Sequence, residues 1–334
     1  MRLPWLPLLF CACLVSCDKV KQAVADAKAK ASSSGNGKSS SPQDKGSPGG
    51  AIDQALEAQI DRTEEGVRFR KDLPFPPLLT VREKERMESK GLRFTRQSAL
   101  GKEASIKDGT EESVHVWKRE GDRLTLTIER QAFIPTPLPA KDSKEAPVQP
   151  AAVESESNGL SATFKLTNGK WKTEGRSADF KRMVWLEQVE PVIGSMASHS
   201  GALPSGFWFG KPRFKEGSAI SLTGDGLKLL FRDAQSGKLD LVFEGVEGIG
   251  GHPCGRFSVR GMCTQRNLLR EDGKKTSCDY MIDSGKVWLS LLHPVVLRKE
   301  MDAAITMSGD DGGTSVRMQG AVKLISTVEW KPGS

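Results

Sequence analysis

The chain has 334 residues, a formal net charge of +7 at pH 7, 37% apolar residues, six Cys and four His. Residues 18–50 hold six Lys and three Asp, so the rest of the chain is close to balanced in charge. This balance excludes the basic surface that is typical of nucleic-acid-binding proteins. Because the His are few and no CxxC pair occurs, we expect neither a zinc site nor another cofactor.

The N-terminus has the pattern of a secretion signal at residues 1–16, with a basic start and an apolar run. The run is too short for a membrane-spanning helix, which needs about 20 apolar residues. The segment LVSC at 14–17 resembles the lipobox of bacterial lipoproteins. The resemblance covers residues 1–18 and implies cleavage before Cys17, a diacylglyceryl group on its sulfur and often an acyl chain such as palmitate on the new amine. A plain secreted protein, cut after a small residue, is the alternative.

A lipidated Cys17 would hold the mature protein on a membrane of the bacterial envelope, facing the periplasm or the exterior. Each buried methylene contributes about 0.8 kcal/mol, so two or three chains form a permanent anchor. Residues 17–50 are rich in Ser, Gly, Pro and Lys and cannot bury a core, which predicts a disordered tether. Its typical reach is about 30 Å.

Residues 51–334 are predicted to form the globular region, as one unit or as two halves at about 51–195 and 203–334. Apolar residues at helical spacing predict a short helix at 51–65. Residues 80–91 combine helix-capping residues with a strand-like pattern, so helix and strand both stay open.

Strand signals dominate the remainder. Alternating apolar residues around turn-forming glycines predict hairpins at 113–130, 160–175 and 239–261. The stretch at 314–330 alternates in the same way and predicts a half-buried antiparallel strand. The Pro-rich stretch at 135–158 predicts an exposed mobile loop.

One clear helix interrupts the strands at 177–190, where Ser177 fits an N-cap and Pro191 ends the periodic pattern. The predicted fold class is therefore α+β: a large antiparallel sheet, which a curved half-barrel would satisfy, with one packing helix at about 177–190, after a disordered tether.

Catalytic signals are weak. A nucleophilic site needs a base within hydrogen-bond reach of a Ser or Cys, and no GxSxG segment occurs. His252 and Cys254 are neighbours in a glycine-rich turn, but nearness in sequence does not provide that geometry. We therefore expect no enzyme activity and no catalytic residues.

The mature cysteines other than Cys17 are Cys254, Cys263 and Cys278. An exported protein meets an oxidising compartment, and Cys263 and Cys278 flank a hairpin loop, which favours a disulfide between them. Three separate buried thiols are the alternative.

In architecture alone, a lipid-anchored sheet with a covering helix resembles the half-barrel family that carries lipids or lipoproteins across the periplasm. No motif supports that resemblance. The first interpretation is a non-catalytic envelope lipoprotein that presents a β-rich domain to an envelope protein or as a structural module. The alternative is a carrier or sensor of a lipophilic ligand held between sheet and helix, which the many Trp side chains could line.

Overall fold

The computed structural model describes residues 50–98, 101–106, 108–137, 150–168, 170–177, 209–231, 234–268, 275–310 and 315–333. The predicted signal, Cys17, the tether up to residue 49 and the predicted helix beyond Ser177 lie outside these residues. In the part of the chain that is described, no helix has the length and apolar character needed to cross a membrane.

The described chain is mostly antiparallel β-structure, as predicted, with one helical turn, α1 (Gln54–Glu57), and one 3-10 helix (Gly224–Leu229). The strands are β1 (Asp61–Thr63), β2 (Gly66–Arg68), β3 (Leu78–Ser98), β4 (Gly101–Ile106), β5 (Gly109–Glu120), β6 (Arg123–Pro135), β7 (Val153–Glu154), β8 (Ser161–Thr167), β9 (Lys170–Arg176), β10 (Arg213–Phe214), β11 (Ala219–Thr223), β12 (Ala234–Ile249), β13 (His252–Leu268), β14 (Lys275–Ser290), β15 (Val296–Asp310) and β16 (Ser315–Pro332).

The main sheet is open and has the order β11-β12-β13-β14-β15-β16-β3-β5-β6-β8-β9, with β4 beside β3 and β7 beside β6. It consists of two meanders, β11–β16 and β3–β9. They are joined where β16 pairs with β3 from Ser315 opposite Gln97 to Pro332 opposite Leu79. This antiparallel pairing makes one continuous sheet out of strands from both halves of the chain.

The three predicted hairpins and the predicted C-terminal strand are confirmed. The strand pairs β5–β6, β8–β9 and β12–β13 form them, with Gly121 and the Gly250–Gly251 pair at positive φ in their turns. In β16, alternate residues from Val316 to Val328 are buried, with the exception of Gly320, because one face of the strand packs on the core.

The structure corrects one helix expectation and decides the stretch that was left open between helix and strand. At 51–65 only α1 is helical, capped by the Asp53 side chain, and the chain then enters β1, where Asp61 binds Arg68 and Arg213. At 80–91 the chain is the middle of β3, because pairing with β16 and β5 on its two sides outweighs the local capping signals.

The Pro-rich stretch at 135–158 is partly built into the fold, which corrects the expectation of a mobile loop throughout. Its β7 pairs with β6, and Ser157, 1% exposed, donates a hydrogen bond of 2.6 Å to Gln131 Oε1. Residues 138–149 of this stretch lie outside the described part.

A second, small sheet of β2 between β1 and β10 delivers aromatic side chains to the core. The Phe69 ring, fully buried, has four phenylalanine neighbours at centroid distances of 5.4–6.2 Å, namely Phe209, Phe214, Phe243 and Phe257. Gly255 leaves room for this ring, since a Cβ there would lie 2.3 Å from a Phe69 ring carbon. The rings fill the space between the small sheet and the main sheet.

We expect Phe69→Ala to lower the free energy of unfolding by about 3–5 kcal/mol, because it removes the ring shared by four neighbours. Urea unfolding followed by tryptophan fluorescence would measure this loss. The control Ile106→Ala truncates a side chain that is 62% exposed and should change the value by less than about 0.5 kcal/mol. Similar losses in both variants would contradict the packing described above.

Candidate functional site

The buried face of the main sheet holds two apolar clusters. The Phe69 cluster includes Phe257, Tyr280, Met301 and Leu324. The Trp117 cluster contains Trp117 and, among others, Val81, Leu126, Phe164 and Val328.

A row of polar residues, here called the polar row, crosses the same face between the clusters. Strand register places one member on each of β15, β16, β3, β5 and β6: Lys299, Ser326, Glu85, Ser113 and Gln131. Alternate residues of a strand share a face. On the same face, Met301 and Leu324 therefore lie on one side of the polar row, and Val328 and Trp117 lie on the other side. The polar row thus interrupts the apolar surface of this face.

An ion pair spans the middle of the polar row. Lys299 Nζ lies 3.1 Å from Glu85 Oε1, across the intervening strand β16, and both side chains are largely buried. The same ammonium group is 3.5 Å from the backbone oxygen of Leu230, which follows the 3-10 helix. These contacts link the sheet to the segment that covers the Phe69 cluster.

At its β6 end the polar row joins a buried hydrogen-bond network. The Gln131 side chain accepts from Ser157 and lies 3.4 Å from His115 Nε2. The Gln131 backbone N–H donates to Asn158 Oδ1 at 2.6 Å. The register places Glu83 directly opposite His115. Buried polar groups of this kind stabilise a single arrangement when their partners are present.

The structure brings together a His and a Ser that are far apart in sequence. His252 Nε2 lies 2.7 Å from Ser290 Oγ, and both side chains are buried. No sequence signal indicated this contact, because the two residues come from β13 and the end of β14 and meet only through strand register. A base beside a hydroxyl is the first requirement for a nucleophilic serine.

The Ser290 side-chain oxygen is nevertheless already hydrogen-bonded to the backbone. It accepts N–H hydrogen bonds from Leu292 at 3.1 Å and His293 at 3.0 Å, so its own hydrogen is left to donate to His252. Ser290 is also fully buried, which leaves no approach for a substrate carbonyl. The contact therefore stabilises the tight turn after β14.

Aromatic rings surround the two histidines of this turn region. The His293 ring stacks on Trp330 at 5.5 Å and lies 5.1 Å from the Phe75 ring. Burial, with a smaller effect of His293, lowers the pKa of His252 to about 4. Burial also lowers the pKa of His293, with a smaller effect of Arg70. Both rings are thus neutral near pH 7.

The three cysteines among the described residues are all buried. Cys254 Sγ donates to the backbone oxygen of His252 at 3.5 Å, and burial strongly raises the pKa of this thiol. It is therefore a protonated core residue.

In the structure Cys263 and Cys278, the predicted disulfide partners, are both free buried thiols. Cys263 lies opposite Tyr280, and Cys278 lies opposite Gln265. The two cysteines are therefore diagonal neighbours on adjacent strands. Diagonal positions are about 7–8 Å apart, which is wider than a disulfide usually spans.

The tryptophans that the structure describes serve the core. Trp117 and Trp288 are 1% exposed, and the Trp288 indole donates to Glu247 beneath the Arg298 guanidinium group. Trp185 and Trp208 lie outside the described residues. Among the described residues, no group of three or more His, Cys, Asp or Glu side chains is placed to hold a metal ion.

Comparison with known proteins identifies no family for this chain. No family model and no curated protein matches the chain. Among solved structures, OpdQ of Pseudomonas aeruginosa is similar with 9% sequence identity and a TM-score of 0.15. The alignment covers 75% of this chain and 99% of the OpdQ chain. OccK7 (OpdD) of the same organism has 8% identity and a TM-score of 0.13, covering 76% and 99%. Scores this low support no argument about fold or function.

We expect stability to fall on acidification because of His252. The pKa of His252 is about 4 in the folded protein, whereas the ordinary value of 6.5 applies to the unfolded chain. Between these two pH values the unfolded chain therefore binds more protons than the folded protein. The contribution of His252 to the free energy of unfolding is complete above about pH 6.5. It falls by up to about 1.4 kcal/mol per pH unit as the pH is lowered to about 4. The variant His252→Gln keeps an acceptor for Ser290 and does not titrate.

Urea unfolding at about pH 7.5 and about pH 5 would measure this effect, with a smaller loss expected in the variant. Carboxylates titrate alike in both proteins, so the difference isolates His252. Equal losses would mean that His252 has the same pKa in the folded and unfolded chain.

We also expect all three cysteines of the described region to be reduced. Protein purified without reductant should show Cys254, Cys263 and Cys278 reacting with maleimide after unfolding and none of them reacting before it. Mass spectrometry of peptides would count the labels. A single labelled thiol after unfolding would restore the predicted disulfide.

Proposed function

We propose that the protein is a lipid-anchored lipoprotein of a bacterial envelope, which presents a non-catalytic β-sheet domain for binding to an envelope protein or as a structural module. The main support for its location is the LVSC segment at 14–17, directly after a basic start and an apolar run. Gly50, where the predicted tether ends, bridges to Gly248 on β12, so the tether would join the domain at the edge of the main sheet.

The packing of the buried face supports a binding module over a carrier. A lipophilic ligand between the layers would need continuous apolar surface and free volume. Here the space around Phe69 is filled by phenylalanine rings, and the polar row separates the two apolar clusters. The Lys299–Glu85 ion pair lies where an acyl chain would have to pass from one cluster to the other.

The absence of catalysis in this proposal rests on Ser290. Within the described residues its contact with His252 has the composition of a nucleophile and a base, yet both acceptor positions of its oxygen are occupied by backbone N–H groups. An oxygen that accepts two such bonds in a closed turn has no lone pair directed at a substrate.

The lipid anchor is tested by Cys17→Ala, which removes the sulfur that the diacylglyceryl group would occupy. We expect the variant to leave the membrane fraction and to lose labelling by a palmitate analogue, since a single apolar signal is not a stable anchor. The matched control Cys13→Ala changes a cysteine inside the signal and should stay with the membrane. If the Cys17 variant still sedimented with membranes and kept its label, the proposed anchor would be wrong.

A further inference from the structure

The main sheet is open, so it ends in two edge strands, β11 and β9. An edge strand presents backbone N–H and C=O groups that have no partner in the sheet and can pair with a strand of another chain. Natural proteins usually protect such edges with charged side chains and β-bulges. The two edges of this sheet differ in that protection.

The β9 edge is protected. Lys172, Glu174 and Arg176 alternate along this strand, and all three are exposed. The pairing of β9 with β8 is also irregular, with a register shift between Thr163 and Phe164. Another strand would have to approach a row of charges on a distorted edge, which disfavours pairing.

The β11 edge lacks these features. Its sequence, AISLT at 219–223, contains no charged residue, no proline and no glycine. It pairs with β12 without a register shift. The side chains of Ala219, Ser221 and Thr223 are exposed. This edge is therefore open to a further strand.

Backbone hydrogen bonds show which groups of β11 face the sheet. The Phe243 N–H donates to the Ser218 oxygen at 2.8 Å, directly before the strand begins. Hydrogen-bonded pairs alternate in an antiparallel ladder, so Ile220 and Leu222 are the residues that bond to β12. The other residues of β11 turn their backbone groups the opposite way.

Three residues of β11 thus present free backbone groups. The N–H and C=O groups of Ala219, Ser221 and Thr223 point away from β12, and they have no backbone partner among the described residues. The edge offers three donors and three acceptors in a row. They recur at every second residue, as in a ladder that lacks its next strand.

We propose that β11 pairs with β11 of a second copy of this chain, antiparallel and about a two-fold axis at Ser221. Ser221 then lies opposite Ser221 of the partner subunit, and Ala219 lies opposite Thr223 of the partner subunit. All donors and acceptors of the two edges meet in this register. Any other antiparallel register would leave some of them unpaired.

The side chains of the edge suit this pairing. On the outer face only small uncharged side chains meet, so no like charges are brought together. On the inner face the half-buried Ile220 would lie opposite Leu222 of the partner subunit. Ile220 already packs on the Phe69 cluster, so the contact would continue the apolar core across the axis. Because the edge is complementary to itself, a second copy is the partner that it fits.

The size of the contact predicts a weak dimer. A single pair of short strands buries less than the roughly 800 Å² per partner of a standard interface. We therefore expect a dissociation constant on the order of 10–100 µM. This association depends neither on the lipid anchor nor on the proposed binding function.

Sedimentation equilibrium of the full chain in mild detergent, from about 1 to about 300 µM, should show a change from monomer to dimer. Ser221→Pro removes the central N–H of the free edge, which no strand of the sheet uses, and an edge strand tolerates proline at such a position. We expect this variant to dimerise at least about tenfold more weakly. The matched control Ser221→Ala keeps the N–H and should stay within about threefold of the parent.

A charge exchange tests the position of the axis. Ser221→Lys places two ammonium groups opposite each other only if Ser221 lies on the axis, and Ser221→Glu places two carboxylates there. Each variant alone should dimerise at least about tenfold more weakly than the parent, whereas an equal mixture should recover the parent affinity within about threefold. The control Thr173→Lys adds a charge to the β9 edge and should dimerise like the parent.

Three results would overturn the proposal: a parent chain that stays monomeric at the highest concentration, a Ser221→Pro dimer as strong as that of the parent, or charged variants that dimerise alone as well as in the mixture. Circular dichroism of each variant shows whether the fold is kept. If Ser221→Pro fails to fold, the charge exchange still decides between the outcomes.

Discussion

The pairing of β16 with β3 is the interaction on which the rest of the structure depends. It joins the last strand of the chain to the first long one, from Ser315 to Pro332, and makes a single sheet of two meanders. Without it, Val328 would not lie beside Glu83, and Lys299 could not reach Glu85 across β16. A contact between strands so distant in sequence forms only after a large loop-closure cost has been met. We therefore infer that the buried face is assembled late in folding and as one unit.

That face combines two kinds of surface, and both bear on the proposed function. The Phe69 cluster is a filled aromatic core, and the polar row divides it from the Trp117 cluster. A carrier would need free volume and a continuous apolar surface here. A partner of the proposed binding module would contact the outside of the sheet and would need neither.

Local patterns in the sequence predicted the three hairpins and the C-terminal strand, but they did not single out the long strands β14 and β15. The hairpins at Gly121, Asn168 and Gly250 have turn residues that leave few alternatives, and alternation in β16 identified its buried face. The helix expected at 51–65 was shortened by the ion pairs of Asp61, whose partner Arg213 is far away in sequence. Such tertiary contacts override weak local helix preference.

The candidate sites could not be predicted for the same physical reason. The contact of His252 with Ser290 depends on the register between β13 and β14, and the polar row depends on the register of β15, β16, β3, β5 and β6. Register is set by bulges and by the buried face, and a slip of one residue would turn every side chain to the other side. Only the Cys17 motif is local enough to be seen in the sequence alone.

In the proposed function the interior of the domain is filled and a partner binds to the outside of the sheet. Native mass spectrometry of the protein extracted from membranes in mild detergent distinguishes this proposal from a carrier. We expect one mass for the chain with its covalent lipid, with no further lipid that dissociates on gentle activation. A reproducible additional lipid, released without breaking a covalent bond, would contradict it and would favour a carrier.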